Sequence, residues 1–226
     1  MLPYILLISI ILILYLLSYF IINKDRKLFF VFTSFFAILI FTVCQKTIGP
    51  DHFNYIRIFN EIAKVPWGHI YEIDLSVEYG FSLISKTFSM FSLSGDAFMR
   101  FYVSLNIILY AIICYKTKVN PLVFIFVYLA LMFSWMTILR QAMASGIVWL
   151  GMGFVREKKP FKYFLTVLLA MLFHITAVIG VVIYLVYNIK SNNHVKYRSL
   201  VIVFCIVLII FNYYVIEIFR YLLRGY

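Results

Sequence analysis

Apolar residues in this chain fall into long continuous runs separated by short polar stretches, and only a few segments alternate as an element with one wet face would. The runs are Leu2 to Ile22, Leu28 to Cys44, Phe101 to Tyr115, Pro121 to Leu139, Gln141 to Val155, Tyr163 to Tyr187 and Leu200 to Ile216. A helix of about 20 apolar residues crosses a bilayer and satisfies its own backbone while doing so. The pattern therefore predicts an all-α, polytopic transmembrane helical bundle of about seven hydrophobic segments, with residues 1–226 forming one integral membrane domain. Several runs hold only about 15 to 17 apolar residues, the short end for a span.

Polar pattern then separates the connections. The segment from Gln45 to Asp96 is the one long polar stretch, and an external loop is expected over about residues 45–97. Gly49-Pro50 reads as a helix start with Asp51 in the first turn, where the helix dipole favours a negative charge. Beyond it Phe53, Ile56, Phe59, Ile62 and Ala63 form an apolar side, and Asn54, Arg57, Glu61 and Lys64 a polar one, as in an amphipathic helix lying at a membrane surface. Pro66-Trp67-Gly68 breaks that helix, with Trp67 as an interfacial anchor. A weaker amphipathic stretch runs from Tyr79 to Phe91. The run from Tyr163 to Tyr187 reads either as one tilted helix or as two half-length helices meeting near His174; charge bias favours the second only marginally.

Composition removes the remaining classes. With 65% hydrophobic residues, 13% charged ones and a mean hydropathy of +1.00, the chain is neither a soluble domain nor a disordered one. The net charge of +11 does not point to nucleic acid, because Lys and Arg cluster between apolar runs, at Lys24 to Lys27, Lys116 to Lys118, Arg156 to Lys162 and Lys190 to Arg198. The first of these clusters follows the first run, which therefore reads as an uncleaved anchor with its N-terminus outside. Cys44, Cys114 and Cys205 lie apart in or beside apolar runs, so neither a disulfide framework nor a metal site is expected. No Walker motif, nucleophile elbow, HExxH or GxGxxG is present, and no cofactor is expected.

The informative residues are ionisable groups where a membrane makes them costly. Arg140 lies between two apolar runs with no acidic residue nearer in sequence than Glu157. It reads either as a snorkelling arginine at a helix end or as an external cation for a phosphate or diphosphate, which the guanidinium fork matches. His174 has no charged residue within ten positions on either side. It reads either as a satisfied core histidine or as a base, proton relay or donor. Asp51 and Glu78 read either as solvated loop carboxylates or as site groups, and Tyr55, a turn after Asp51, as a sugar-stacking or interfacial ring. Ala142 and Gly146 form a small-xxx-small pair that marks a close helix contact.

Taken in order, Gly49-Pro50-Asp51-His52-Phe53-Asn54-Tyr55 with Phe59, Glu78-Tyr79-Gly80-Phe81, Leu139-Arg140-Gln141 with Ala144, the basic loop Arg156 to Lys159, and Ala170 with Phe173-His174 and Ala177 resemble the EpsG family. These are polytopic proteins of bacterial exopolysaccharide, capsule and O-antigen gene clusters, related to the Wzy polymerases. The resemblance implies a glycosyltransferase-type polymerase in the bacterial inner membrane, acting on undecaprenyl-diphosphate-linked oligosaccharide at the external face. It implies Asp51 or His174 as the group that activates the acceptor hydroxyl, and Arg140, helped by Arg57, as the cation for the departing diphosphate. Tyr55, Glu78 and Gln141 complete the expected substrate-binding set. Expected partners are the lipid-linked oligosaccharide, membrane lipids, and a chain-length regulator and flippase of the same pathway. Family members usually continue with further spans beyond the position of Arg224-Gly225-Tyr226, so this chain reads as a short member or a truncated frame. The alternatives from other classes are a non-catalytic membrane subunit or a transporter of a polysaccharide assembly system.

Overall fold

The computed structural model describes residues 2–21, 23–72, 77–135 and 138–188, and among these every regular element is helical. The run from Leu200 to Ile216 and the C-terminus lie outside them. The helices are α1 (Leu2–Leu17), α2 (Asn23–Val43), α3 (His52–Lys64), α4 (Tyr79–Ser89), α5 (Gly95–Lys116), α6 (Pro121–Trp135), α7 (Leu139–Arg156), α8 (Pro160–Met171) and α9 (Ile179–Asn188). Three stretches are long and apolar enough to cross a membrane, Pro3–Phe20, Asp25–Val43 and Gly95–Lys116. Pro121–Leu131, Pro160–Met171 and Ile175–Tyr187 are shorter apolar helices, so among the described residues three of the expected hydrophobic segments have full spanning length. Large apolar side chains such as Leu6, Ile13, Phe32, Phe36, Phe161 and Leu168 point outward, as they do where lipid is the solvent.

Met1–Val178 forms one compact unit, and Ile179–Tyr226 a second in which α9 is the described element. Within the first unit, α5 is the axis, packing against α2, α3, α6 and α7. Its 22 residues extend about 33 Å and so separate two ends of the unit. At its start Asp96 accepts a hydrogen bond from His52, 2.9 Å away, and just past its end the Thr117 carbonyl accepts one from Lys27. α7 runs the same way: Arg140 is in its first turn, and Arg156 at its end lines a small pocket with Lys116 and Thr117. Lys27, Lys116, Thr117 and Arg156 thus share one end of the unit, and the described polar residues around His52 and Asp96 lie at the other.

Small residues let these helices approach. A Cβ on Gly146 would stand 2.6 Å from Leu109 of α5, and one on Gly151 3.1 Å from Thr166 of α8. Tyr110 of α5 donates to the Ala142 carbonyl of α7 at 3.1 Å. The small-xxx-small pair therefore lies on the α5 contact.

The helix start expected at Pro50 moves. Gly49 turns the chain with a φ of 73°, α3 begins at His52, and Asp51 is its N-cap residue, with no capping bond from its side chain. The Ile48 N–H instead donates to Nδ1 of buried His52 at 3.3 Å, so the ring keeps its proton on Nε2 and donates it to Asp96. At the far end of α3, buried Lys86 of α4 donates to the Ala63 carbonyl at 2.8 Å, a cation satisfying a helix C-terminus. Between α3, α4 and α5 lies an aromatic floor: Phe59 stacks on Phe98 with centroids 4.6 Å apart, and Phe81 meets Tyr55, Phe98 and Tyr102.

The run from Tyr163 to Tyr187 is broken. α8 stops at Met171, a turn and a 3-10 segment (Ile175–Val178) follow, and α9 starts at Ile179. The break is where α4 docks, because the Gly80 N–H donates to the Leu172 carbonyl at 2.6 Å. A Cβ on Gly80 would lie 2.7 Å from that oxygen and 3.0 Å from its carbon, so only glycine permits the approach.

Two outcomes follow from this arrangement. Gly80→Ala lowers thermal stability in detergent by about 1–3 kcal/mol, the usual cost of overpacking. Gly153→Ala, where a Cβ meets nothing within 4 Å, is neutral or stabilises by up to about 1 kcal/mol; equal shifts for the two variants contradict the docking account. Single cysteines at His69→Cys and Lys118→Cys in a cysteine-free background label from opposite sides of the membrane. An impermeant maleimide reaches His69→Cys in intact cells and Lys118→Cys only after lysis, and the reverse order inverts the topology.

Candidate active site

Docking of α4 on the broken end of α8 places Glu78, the N-cap residue of α4, against two residues remote in sequence. Its Oε1 is 2.5 Å from Nδ1 of His174, and its Oε2 accepts a hydrogen bond from Nη1 of Arg140. The three come from three places: the segment before α4, the first turn of α7 and the turn after α8. Their side chains are 19%, 20% and 25% exposed for Glu78, Arg140 and His174, which leaves the cluster mostly desolvated yet open to a ligand.

The geometry assigns protons. An ionised carboxylate only accepts, so the nitrogen of His174 facing it, Nδ1, carries hydrogen. In the neutral ring Nε2 is then the lone-pair nitrogen and a base. Arg140 counters the carboxylate from the other side. Its guanidinium carbon is 5.9 Å from the Phe81 ring centroid, so the aromatic floor supports the cation as well as the helices.

Tyr55 reaches the same place from α3. Burial pushes its phenol up, the guanidinium of Arg140 beside it pulls the other way, and the charge of Asp51 adds to the rise. The buried Tyr102 hydroxyl is within electrostatic reach of Tyr55, Arg140 and Glu78, and it has no hydrogen-bond partner among the described residues.

Of the residues singled out from sequence, Glu78, Arg140 and His174 are thus bonded together, with Tyr55 beside Arg140. Asp51 stands outside the hydrogen-bonded cluster, one turn before Tyr55 at the start of α3. Arg57 is an exposed residue that donates to Asn54 at 3.0 Å and Glu61 at 3.4 Å on its own helix. Gln141 is half-buried in the first turn of α7, next to Arg140. Two further residues stand out only in the fold. In the sequence His52 is part of a motif, although its place directly after a Gly-Pro-Asp turn is a signal for a pinned ring. Tyr102 lies inside an apolar run, where a tyrosine reads as packing. Among the described residues no three His, Cys, Asp or Glu side chains converge on a common point.

Residues 29–226 match the EpsG family, a stretch that covers most of the chain and all of the cluster. The chain belongs to the EpsG family. No curated protein and no solved structure matches it at comparable significance. Family and apolar helices together make it a membrane protein.

The shared carboxylate makes Glu78 and Arg140 energetically coupled. Glu78→Ala and Arg140→Ala each lower the unfolding free energy, and the double variant loses less than their sum, with a coupling of about 0.5–3 kcal/mol. Lys159→Ala, just past the far end of α7, combined with Arg140→Ala is additive. Additivity of the first pair, measured by unfolding in detergent, contradicts the bridge.

Proposed function

We propose that this chain polymerises oligosaccharide repeat units carried on undecaprenyl diphosphate, at the external face of the bacterial inner membrane. The observation that carries this reading is the Glu78 carboxylate holding His174 by Nδ1 and Arg140 by Nη1. Membership of the EpsG family supports the substrate class.

In the proposed reaction the acceptor sugar hydroxyl gives its proton to Nε2 of His174 as its oxygen attacks the anomeric carbon of the donor. The bond from that carbon to the lipid diphosphate breaks, and the diphosphate leaves with the electron pair. Arg140 stabilises the charge that develops on the departing oxygens, as a permanent cation whose planar guanidinium matches phosphate geometry. Glu78 orients the imidazole and balances it when protonated. Tyr55 and Gln141 border Arg140 and serve the sugar or carrier. Asp51, one turn from Tyr55, is a second carboxylate for sugar hydroxyls, and Arg57 a more distant cation. A flippase and a chain-length regulator of the same pathway act before and beside such an enzyme.

In a deletion strain whose surface glycan is cut to single repeat units, the wild-type gene restores long chains. His174→Gln and Glu78→Gln reduce polymerisation by about 10²–10⁴-fold, the usual contribution of general acid-base catalysis. Arg140→Lys keeps the charge but loses the fork and falls between wild type and Arg140→Ala. Normal chain length from well-inserted His174→Gln and Glu78→Gln proteins overturns the assignment and favours a non-catalytic subunit. Accumulation of unflipped lipid-linked units in the deletion strain favours a transporter.

A further inference from the structure

At the basic end of the first unit, a cleft of about 320 Å³ opens between the end of α1, the first turns of α2 and the start of α6. It is lined by Tyr15, Ser18, Arg26, Lys27, Phe30 and Asn120, with Pro121 at its edge. Two cations, two hydroxyl-bearing side chains and an amide therefore line one space, and no carboxylate lines it among the described residues. The cations are held in place. Ser18, itself buried, donates to the Tyr15 carbonyl at 2.6 Å and accepts from Nε of Arg26 at 3.3 Å. The Arg26 guanidinium lies over the Tyr19 ring, 3.2 Å from its centroid. Lys27 gives one hydrogen to the Thr117 carbonyl and, as an ammonium, has two more to give. The rest of the wall is apolar, from Tyr15 and buried Phe30, and Leu16, Leu17 and Phe20 beside it face outward.

We propose that this cleft binds the phosphate of an anionic phospholipid. A fixed guanidinium and an ammonium supply the charge-assisted donors a phosphate diester takes. The apolar wall suits the glycerol and upper acyl chains, which a free phosphate does not have. Basic pockets between membrane helices at the end rich in Lys and Arg meet the leaflet with anionic headgroups. The cleft is at the opposite end of α5 from the Glu78 cluster and is independent of the activity proposed for it. Its role is to fasten α1, α2 and α6 together at the membrane surface.

The test is lipid retention by the purified full-length protein, titrated separately with phosphatidylglycerol and phosphatidylcholine and read by native mass spectrometry. Wild type prefers phosphatidylglycerol. Arg26→Gln weakens phosphatidylglycerol binding about fivefold and leaves phosphatidylcholine unchanged, as expected for one cation near an anionic surface. Arg26→Lys retains most of the affinity, and Lys158→Gln, at the same end but outside the cleft, retains all of it. If Arg26→Gln does not survive purification, Lys27→Gln carries the test with the same expected direction. No preference in wild type, or an equal loss in Lys158→Gln, overturns the site. Displacement of phosphatidylglycerol by millimolar inorganic phosphate overturns the lipid and makes the cleft a site for free phosphate.

Discussion

The carboxylate of Glu78 is shared between Arg140 and His174, and that sharing ties the N-terminus of α4 to the first turn of α7 and to the break after α8. Each partner alone is costly where helices are solvated by lipid. A carboxylate or guanidinium stripped of water must find an opposite charge and good hydrogen bonds, or the site opens. Together, with a neutral imidazole, they carry no net charge. The bridge forms because the backbone of α4 can touch that of α8, and the touch requires glycine at position 80. Behind it, Phe81 and Phe98 anchor α4 to α3 and α5 through apolar contact, so the polar cluster rests on a packed floor.

The same bridge changes the electrostatics of Arg140. Viewed along the sequence it is a lone cation between apolar runs, but in the fold its charge is balanced by a residue 62 positions away. A diphosphate that approaches Arg140 therefore competes with or joins Glu78, and any shift of the carboxylate is felt at once by the imidazole. In the function proposed for this site, one side chain thus links the group that meets the leaving anion to the group that takes up the proton. The linkage needs no moving domain.

Much of the architecture is legible in the chain because membrane helices obey a local rule: apolar length and flanking charge decide them. α2, α5 and α7 begin or end within a few residues of the turns and charges that mark them. The break near His174 was visible as an alternative but not decidable, since what selects it is the docking of α4 on the Leu172 carbonyl, a contact between distant segments. The start of α3 fell two residues late for a similar reason: Gly49 uses its left-handed freedom for a turn, and buried His52 takes the backbone N–H of Ile48. Arg140 and His174 are each conspicuous singly, as ionisable groups between or within apolar runs, whereas Glu78 reads as one loop carboxylate among several. Their mutual bonding is not legible in the chain, and Asp51, whose place at a helix start can be read locally, draws the expectation of a catalytic carboxylate in place of Glu78.

Nuclear magnetic resonance of the protein with ¹⁵N-labelled histidine, in lipid and at alkaline pH, tests the central bridge most directly. His174 is identified among the four histidines by its absence from His174→Gln. The bridge predicts that its neutral ring carries hydrogen on Nδ1 with Nε2 bare, and that Glu78→Gln shifts the signal or reverses the tautomer. A His174 ring with hydrogen on Nε2, unchanged by Glu78→Gln, contradicts it.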